Sequence, residues 1–378
     1  MNELSRNNFI YRWWRVIDQQ SIIALGILIA FSLMLVTTSS PAVASRIGLV
    51  DNYFSSRQVL YLAAACLFVI FFSYLDKKWI KRLAILGFIF NLSMLVLVKF
   101  FGYEVKGAVR WISIAGFSYQ PSEFIKPFFA VVTGWVLSLK YKDDFPSVQV
   151  ATILYSIVAF LLITQPDFGM LVLITAVFAV QIFLVGLPII LILVALLAST
   201  FGIIAAYFML PHVATRINNY LDPASGENYQ VKQSILAFEH GGMYGRGPGE
   251  GYVKQHLPDS HTDFIFAVAG EEFGAILCLV IIGVFAFIVI RSLLRSRGEQ
   301  DVFSKLAGIG IACQFGFQSV INMGVTLNLL PTKGMTLPFI SYGGSSTLAI
   351  SIAVGMLLGL TKRKASLIKY RSQITEGL

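Results

Sequence analysis

Residues 245–274 read GRGPGEGYVKQHLPDSHTDFIFAVAGEEFG, and the transition within this stretch decides the fold. A glycine-rich, charged loop passes without a break into an apolar run that carries Glu271 and Glu272. The apolar run continues to residue 290, and a membrane-spanning helix needs only about 20 residues. The two glutamates are therefore expected inside a membrane, where a carboxylate must face protein or water and find a partner.

The rest of the chain has the composition of an integral membrane protein. Of its 378 residues, 56% are hydrophobic and 13% are charged, and the mean hydropathy is +0.75. A soluble domain is only about half apolar. The fold class is therefore predicted to be all-α and polytopic, with about ten transmembrane helices. The predicted spans are 20–39, 57–75, 82–99, 122–139, 148–164, 167–186, 188–209, 264–290, 305–328 and 344–361.

Basic residues recur in every second connection between the predicted spans. The positive-inside rule places these connections, and with them both termini, in the cytoplasm. The predicted organisation is a cytoplasmic tail over 1–19, a transmembrane domain over 20–361 with a large extracytoplasmic loop over 210–263 between the seventh and eighth spans, and a cytoplasmic tail over 362–378. Topology and contact with anionic lipid headgroups explain the net charge of +9 without a nucleic-acid partner.

Three connections on the opposite side are richer in polar and aromatic residues than loops that only join two helices. They cover about 100–121, 210–263 and 329–343, and all three are predicted to be extracytoplasmic. Functional residues concentrate on loops that a rigid scaffold positions, so a site on this one face is the natural inference. The residues concentrated there are Lys106, Arg110, Trp111, Gln120, Glu123, Lys126, Arg216, Arg246, Lys254, Asp263 and Lys333.

Several of these charges are predicted to enter the membrane. Glu123 and Lys126 are three residues apart, so they share a helix face and can pair, either as a functional pair or as a structural lock between helices. Asp263 precedes the eighth span, where a carboxylate also stabilises a helix N-terminus. Glu271 and Glu272 lie about 12 Å deeper, at about 1.5 Å per residue. These two are expected to support structure or coupling rather than direct chemistry.

The glycine-rich segment 245–251 is not a nucleotide-binding loop, because its spacing fits neither the P-loop nor the dinucleotide fingerprint. Its glycines permit close backbone approach, and with Arg246 and Lys254 they suit an anionic group such as a phosphate. A tight turn packed on the helices is the alternative. Histidines in the same loop show no zinc-binding spacing.

A series of longer motifs carries a family resemblance. They are KGAVRWI at 106–112, QPSEFIKP at 120–127, QPDFG at 165–169, NYQ at 228–230, GGMYGRGPGEG at 241–251, LPDSHTDFIFAVAGEEFG at 257–274 and LPTKGMTLPFISYGGSS at 330–346. In this order they resemble the SEDS family of bacterial cell-wall polymerases, over about residues 100–361. The last motif resembles the cell-division branch more than the elongation branch, and the GPGEG form is similar to cell-division members from alphaproteobacteria. Val109 departs from the pattern, which often has a second basic residue there.

The resemblance implies an inverting peptidoglycan glycosyltransferase that polymerises lipid II into β-1,4 glycan strands and releases undecaprenyl pyrophosphate. It implies action at the outer face of the cytoplasmic (inner) membrane, at the division septum. The alternatives are a lipid II flippase, an elongation-type polymerase and a scaffold without catalytic activity. Charged residues inside spans also suit a transport path, but here the polar residues gather at one face.

The resemblance also assigns roles to residues. Asp263 matches the catalytic base, which replaces the capping interpretation. Glu123 and Lys126 are implied to line a central cavity, where they position the acceptor or order the Asp263 loop. The residues expected to contact substrate, chiefly its pyrophosphate, are Lys106, Arg110, Trp111, Arg246, Lys254 and Lys333.

The resemblance finally implies partners. A class b penicillin-binding protein transpeptidase of the FtsI type is expected, together with other division proteins and membrane lipid. A divalent cation, Mg²⁺ or Mn²⁺, is plausible on the pyrophosphate, because metals commonly neutralise such leaving groups. No cluster of acids in the sequence marks a dedicated metal site.

Overall fold

The protein is described here by a computed structural model. The structure describes residues 9–105, 108–114, 117–141, 145–188, 226–331 and 334–362, together with scattered positions between 190 and 218.

Apolar helices form the bundle that the composition predicts. Seven helices are long and apolar enough to cross a membrane, and two shorter apolar helices accompany them in the described part of the chain. In chain order they are α2 (Gln19–Arg46), α3 (Tyr53–Tyr74), α4 (Lys77–Phe101), α5 (Pro121–Ser138), α6 (Ser147–Thr164), α7 (Phe168–Leu184), α9 (Ile265–Arg297), α10 (Val302–Thr326) and α11 (Gly344–Leu360). Helix α1 (Phe9–Val16) precedes them, and α8 (Gly226–Gly241) precedes the glycine-rich loop.

Nine of the ten predicted spans have a helix at the predicted place. Helices α2 and α9 extend beyond the predicted ends at 39 and 290, since polar and basic residues continue each helix past the apolar run. The predicted span 188–209 falls mostly outside the described residues. The apolar runs therefore located the helices, while their polar ends were not visible in the hydropathy.

Helices α5 and α10 form the centre of the bundle. Nearly all of α5 is buried, and α10 packs along it with its own buried face. A side chain cannot fit at Gly134 of α5, because a Cβ there would lie 2.7 Å from the Ala307 amide nitrogen of α10. Small residues allow such close approach between membrane helices. The pair forms a rigid core from which polar side chains can be presented at fixed positions.

The connection over 100–121 is not the plain loop that the all-α prediction assumed. It contains a three-stranded antiparallel sheet in the order β1 (Tyr103–Val105), β2 (Ala108–Ile114) and β3 (Phe117–Tyr119). The register pairs Tyr103 with Trp111 and Ile112 with Tyr119. The β-branched and aromatic residues of AVRWISI favour a strand over a loop. Arg110 and Trp111 are thus held on a strand.

Charges that the sequence placed on one side do meet at one end of the bundle. Arg291, near the end of α9, pairs with Asp18 before α2 at 2.6 Å. Lys77 at the start of α4 lies 3.2 Å from Glu299 and 3.5 Å from Asp301, before α10. The starts of α2 and α4 and the connection from α9 to α10 therefore lie at the same end of the bundle, as the distribution of basic residues in the sequence predicts. The assignment of this end to the cytoplasm stays a prediction from the positive-inside rule.

Helix α9 is broken at Gly274, and the glycine-rich loop fills the break. Gly274 has φ 78° and ψ −179°, so the helical hydrogen bonds cannot continue through it. The carbonyls of Glu271 and Glu272 accept from the amides of Arg246 and Gly247 at 3.0 and 2.9 Å. Beyond the break, the Ala275 amide donates to the Gly242 carbonyl at 2.9 Å. A loop from elsewhere in the chain thus satisfies the backbone groups that the break exposes.

The two glutamates before the break hold the same loop through their side chains. The Glu271 carboxylate accepts from the backbone amides of Val253 at 2.6 Å and Lys254 at 2.9 Å. The Glu272 carboxylate pairs with the Lys254 ammonium, and both residues are buried. The carboxylates at this depth are therefore structural, as the sequence predicted for them.

Candidate active site

Asp263 lies in the turn that leads into α9, at the end of the bundle opposite the Asp18 and Lys77 ion pairs. The residue is partly buried, and its carboxylate faces the segment that follows residue 333. A Cβ built on Gly334 would lie 3.5 Å from the Asp263 Oδ2 atom. Gly334 has φ 58°, a conformation that favours glycine, so the backbone can approach the carboxylate closely.

The turn that carries Asp263 is fixed through its backbone. The Asn322 Nδ2 atom of α10 donates to the Asp263 carbonyl at 2.8 Å and to the Met335 carbonyl at 2.5 Å. The Ser341 hydroxyl donates to the Thr262 carbonyl at 2.5 Å, and the Tyr342 amide donates to the His261 carbonyl at 2.9 Å. The Asp263 turn and segment 334–342 therefore form one unit on α10, which fixes the backbone from which the carboxylate extends.

Glu123 and Lys126 form the ion pair that their spacing predicts. The Lys126 Nζ atom lies 2.8 Å from Glu123 Oε2, and both side chains are buried. Lys126 also donates to Gln318 Oε1 on α10 at 3.0 Å, and Gln318 Nε2 donates to the Thr336 carbonyl at 3.0 Å. A continuous path of hydrogen bonds thus links the buried pair to the segment that faces Asp263.

Arg110 lies beside a buried aspartate that precedes α7. Its guanidinium donates to the carbonyls of Gln165 at 3.3 Å and Pro166 at 2.5 Å, and it lies 3.8 Å from Asp167 Oδ1. The Ser122 hydroxyl donates to Asp167 Oδ2 at 3.0 Å. Asp167 thus connects Arg110 of the sheet to Ser122 of α5, next to Glu123.

The remaining predicted residues fall into three groups. Trp111 lies half-buried on β2, beside Arg110. Arg246 is exposed in the loop that fills the α9 break, and its Nε atom donates to the His240 carbonyl at 2.6 Å. Lys106 and Lys333 lie outside the described residues.

Lys254 does not have the position that a pyrophosphate ligand requires. It is buried, and its ammonium donates to the Thr38 and Gly249 carbonyls at 3.0 Å each, in addition to its pair with Glu272. An ammonium has three donors, so all of them are used inside the protein. In this arrangement Lys254 stabilises the loop against α2 and α9.

A comparison of the whole sequence decides the family. The profile of the family described as cell cycle protein, FTSW_RODA_SPOVE, matches residues 19–366. The chain belongs to this family, the SEDS family. The match covers every described apolar helix from α2 to α11.

Curated relatives of this SEDS chain cover nearly its whole length. The probable peptidoglycan glycosyltransferase FtsW of Caulobacter vibrioides is 39% identical over 354 residues, which are 93% of this chain and 91% of the relative. The protein of the same name from Trichlorobacter lovleyi is 36% identical over 377 residues, 96% of each chain.

Solved structures of SEDS proteins have the same fold. A chain of a peptidoglycan synthase complex, solved to describe the coordination of polymerisation and crosslinking, superposes with a TM-score of 0.77 at 25% identity and covers 92% of this chain and 98% of its own. The rod shape determining protein RodA of Thermus thermophilus superposes with a TM-score of 0.70 at 24% identity and covers 92% and 97%. The all-α, polytopic membrane fold is thus that of the SEDS family.

The sequence interpretation missed three residues of the site. Asp167 was quoted within QPDFG but given no role, and Gln318 and Asn322 were counted as part of an apolar span. A signal was present for the last two, because Gln314, Gln318 and Asn322 recur every four residues and so share one face of α10. Amides at this spacing inside a span need partners, which makes them candidates for ordering a site.

The residues of the site do not fit a resident metal ion. Within the described residues, no group of three histidine, cysteine or acidic side chains is arranged to hold one. Glu123 is paired with Lys126, and Asp167 is held by Ser122 and lies near Arg110. A divalent cation on the substrate pyrophosphate stays a prediction.

Gln318→Leu is expected to slow turnover by about 10- to 100-fold, because small displacements of a catalytic group can cost about that much. The substitution removes both bonds that connect Lys126 to segment 334–336, while Asp263 itself is retained. Lipid II affinity is expected to change little, so the effect falls on kcat rather than on KM. Steady-state rates with purified lipid II measure this.

Gln314→Leu is the matched control for that variant. Gln314 is one turn away on α10 and equally buried, but its amide makes no hydrogen bond in the described structure. Its loss should leave turnover unchanged. Equal losses in the two variants would mean that polarity along this face, and not the bonds of Gln318, supports activity.

Proposed function

We propose that the chain is a peptidoglycan glycosyltransferase of the FtsW type, which polymerises lipid II into β-1,4 glycan strands at the outer face of the cytoplasmic membrane. The observation that carries this proposal is the nearly full-length similarity to curated FtsW glycosyltransferases, up to 39% identity over 93% of the chain. The FtsW relationship also supports a role in septal wall synthesis during cell division.

The reaction assigned to the site is a displacement at a sugar carbon. The acceptor hydroxyl attacks the anomeric carbon of the donor, the new glycosidic C–O bond forms with inversion, and the bond to undecaprenyl pyrophosphate breaks. The hydroxyl proton goes to the Asp263 carboxylate, and the electron pair of the broken bond leaves on the pyrophosphate. Such a step needs a base at the hydroxyl and positive charge at the leaving group.

The position of Asp263 suits this role as base. Asn322 holds the Asp263 backbone carbonyl and Ser341 holds that of Thr262, so the backbone that carries the carboxylate is fixed before substrate arrives. Preorganised groups lower the barrier because they need not reorganise during the reaction. Asp263 also lies where the loop meets the bundle, which matches a substrate whose sugars are outside while its lipid anchor stays in the membrane.

Positive charge for the leaving group is assigned to Arg110, with Lys106 and Lys333 as further candidates. Arg110 is held by two carbonyls beside the buried Asp167, so a substrate pyrophosphate would compete with these contacts. Lys333 directly precedes Gly334, where a built Cβ would lie 3.5 Å from Asp263 Oδ2. Trp111 and Arg246 complete the proposed contacts with substrate, whereas Lys254 stabilises the fold.

The partner proposed for the chain is a class b penicillin-binding protein. A chain of a peptidoglycan synthase complex shares the fold over 92% of the present chain, which supports an assembly of this kind. Such a partner would crosslink strands as they are polymerised.

Proteoliposomes that contain the purified chain and labelled lipid II test the activity itself. Glycan polymer is expected, with and without the transpeptidase and a divalent cation as separate arms. A parallel assay follows the movement of lipid II between leaflets. Lipid II that crosses the bilayer without forming polymer in any arm would replace the glycosyltransferase proposal by a flippase.

A further inference from the structure

The segment between α10 and α11 contains a strained backbone position. Phe339 has φ 61°, in the left-handed region that a bulky side chain rarely adopts. Its side chain is buried, and its ring centroid lies 6.5 Å from that of Phe315 on α10. Such a conformation persists only where the surrounding structure holds it, and strained positions cluster at functional sites. The contacts that hold this segment are therefore candidates for a functional role.

The side chains that hold the strained segment come from α2 and α3. The Ser32 hydroxyl of α2 donates to the Ile340 carbonyl at 2.8 Å. The Gln58 amide of α3 donates to the Ser32 hydroxyl at 2.8 Å and to the Ser341 carbonyl at 3.3 Å. Ser32 and Gln58 are both fully buried. Their bonds fix the two carbonyls that directly follow Phe339.

The same segment holds the turn that carries Asp263. The Ser341 hydroxyl accepts from the Leu337 amide at 2.8 Å and donates to the Thr262 carbonyl at 2.5 Å. Both its oxygen and its hydrogen are thus engaged by backbone groups. Gln58 therefore reaches the Asp263 turn through one intermediate residue, Ser341.

A second contact from α3 supports the same turn. Phe54 lies one turn before Gln58, and its ring centroid is 4.3 Å from that of His261 and 5.1 Å from that of Tyr342. His261 precedes Asp263 by two residues, and its carbonyl accepts from the Tyr342 amide at 2.9 Å. Helix α3 thus contacts both the Asp263 turn and the segment that holds it.

A lock between α2 and α3 is the simpler interpretation of two buried polar side chains, because such side chains often hydrogen-bond across membrane helices. That interpretation needs only the bond from Gln58 to Ser32. Both side chains also donate to carbonyls of one segment outside their own helices, and this segment holds the Asp263 turn. The arrangement therefore does more than join two helices.

We propose that Gln58 is a positioning residue for Asp263, and that it acts through Ser32 and Ser341. This inference rests on the proposed function, in which the Asp263 carboxylate is the base. Without Gln58 the strained segment can relax, and the Thr262 carbonyl then loses its fixed donor. The carboxylate moves relative to the acceptor hydroxyl as a result. Misplacement of a catalytic group by about 1 Å can cost about 100-fold in rate.

Gln58→Leu tests the proposal in polymerisation by the purified full-length protein. Leucine is close to glutamine in size but cannot donate to Ser32 or Ser341. Turnover per bound lipid II is expected to fall by at least about tenfold, while lipid II affinity stays within about twofold of the wild type. Wild-type turnover in a folded Gln58→Leu protein would overturn the proposal.

A double-mutant cycle with Asp263→Asn separates positioning of the carboxylate from a general loss of structure. Because Gln58 acts through that carboxylate, Gln58→Leu should lower the residual rate of the Asp263→Asn protein by no more than about twofold, measured with radiolabelled lipid II. A loss as large as in the wild-type background means that Gln58 acts elsewhere, and the proposal is then wrong.

The same cycle distinguishes failure of this proposal from failure of the proposed function. Slow turnover in Asp263→Asn with wild-type turnover in Gln58→Leu removes only the role of Gln58. Wild-type turnover in Asp263→Asn removes the proposed base, and its positioning with it.

Ser32→Ala and Ser39→Ala form a milder matched pair on α2. Both hydroxyls are fully buried, but Ser39 donates to the Val36 carbonyl of its own helix, at 3.3 Å. Ser32→Ala should slow turnover about three- to tenfold, the effect of one hydrogen bond, and Ser39→Ala should leave it unchanged. Equal turnover in these two variants would overturn the proposal, also where Gln58→Leu does not fold. Thermal unfolding shows that each variant is folded.

Discussion

Gly274→Ala is expected to prevent the chain from reaching its folded state. A Cβ at this position would overlap the Met243 carbonyl oxygen and lie 2.5 Å from the Gly245 amide nitrogen. The φ of 78° is itself unfavourable for alanine by about 1–2 kcal/mol. The loop would have to leave the break in α9, which would expose backbone groups and uncouple Glu271 from its amides. The total cost is expected to exceed about 4 kcal/mol, which few single substitutions reach.

Gly283→Ala in the same helix is the matched control. A Cβ at Gly283 meets nothing within 4 Å, so alanine there should stabilise the helix by about 0.5–1 kcal/mol. Expression level and thermal unfolding in detergent compare the two variants. If Gly274→Ala unfolds at the same temperature as Gly283→Ala, the loop does not fill the break as described.

Lys126→Met is expected to destabilise the protein by about 3–5 kcal/mol. The substitution leaves the Glu123 carboxylate buried without its cation, and loss of one partner from a buried pair costs about that much. The bond from Lys126 to Gln318 is lost as well. Thermal and denaturant unfolding of the purified variant measure the effect.

The double variant Glu123→Gln/Lys126→Met tests the reason for that loss. It removes both charges, so no ion is left unpaired, and most of the lost stability should return. The path to segment 334–336 remains broken, and turnover should therefore stay low in a folded protein. A double variant as unstable as Lys126→Met would show that the packing of Lys126, rather than the unpaired carboxylate, causes the instability.

Length and periodicity were sufficient to predict much of this fold. Runs of apolar residues located nine helices, because a bilayer sets the length of a span. The three-residue spacing of Glu123 and Lys126 predicted their pair, since helix geometry alone brings such residues together. Both predictions depend on local properties of the chain.

Features that depend on distant contacts were not predictable in this way. The break at Gly274 exists because the loop around Gly245 inserts there. A single glycine in an apolar run does not indicate that a distant loop packs beside it. Lys254 looked like a phosphate ligand from its glycine-rich surroundings, but its position is decided by Glu272 and Thr38. Strands β1 and β3 have only three residues each, too few for a recognisable alternation, whereas the composition of the seven-residue strand β2 did favour a strand.

The central claim, that the Asp263 carboxylate is the base of a lipid II polymerase, is tested most directly by Asp263→Asn. Polymerisation rate and lipid II affinity are measured on one preparation, with unfolding temperature as the check on folding. Asparagine keeps the size and shape of the aspartate side chain, and the hydrogen bond from Asn322 to the backbone carbonyl of residue 263 remains. An amide cannot, however, accept the proton of the acceptor hydroxyl. The account predicts a rate at least about 100-fold lower with lipid II affinity nearly unchanged. A folded Asp263→Asn protein that polymerises lipid II at the wild-type rate would contradict it.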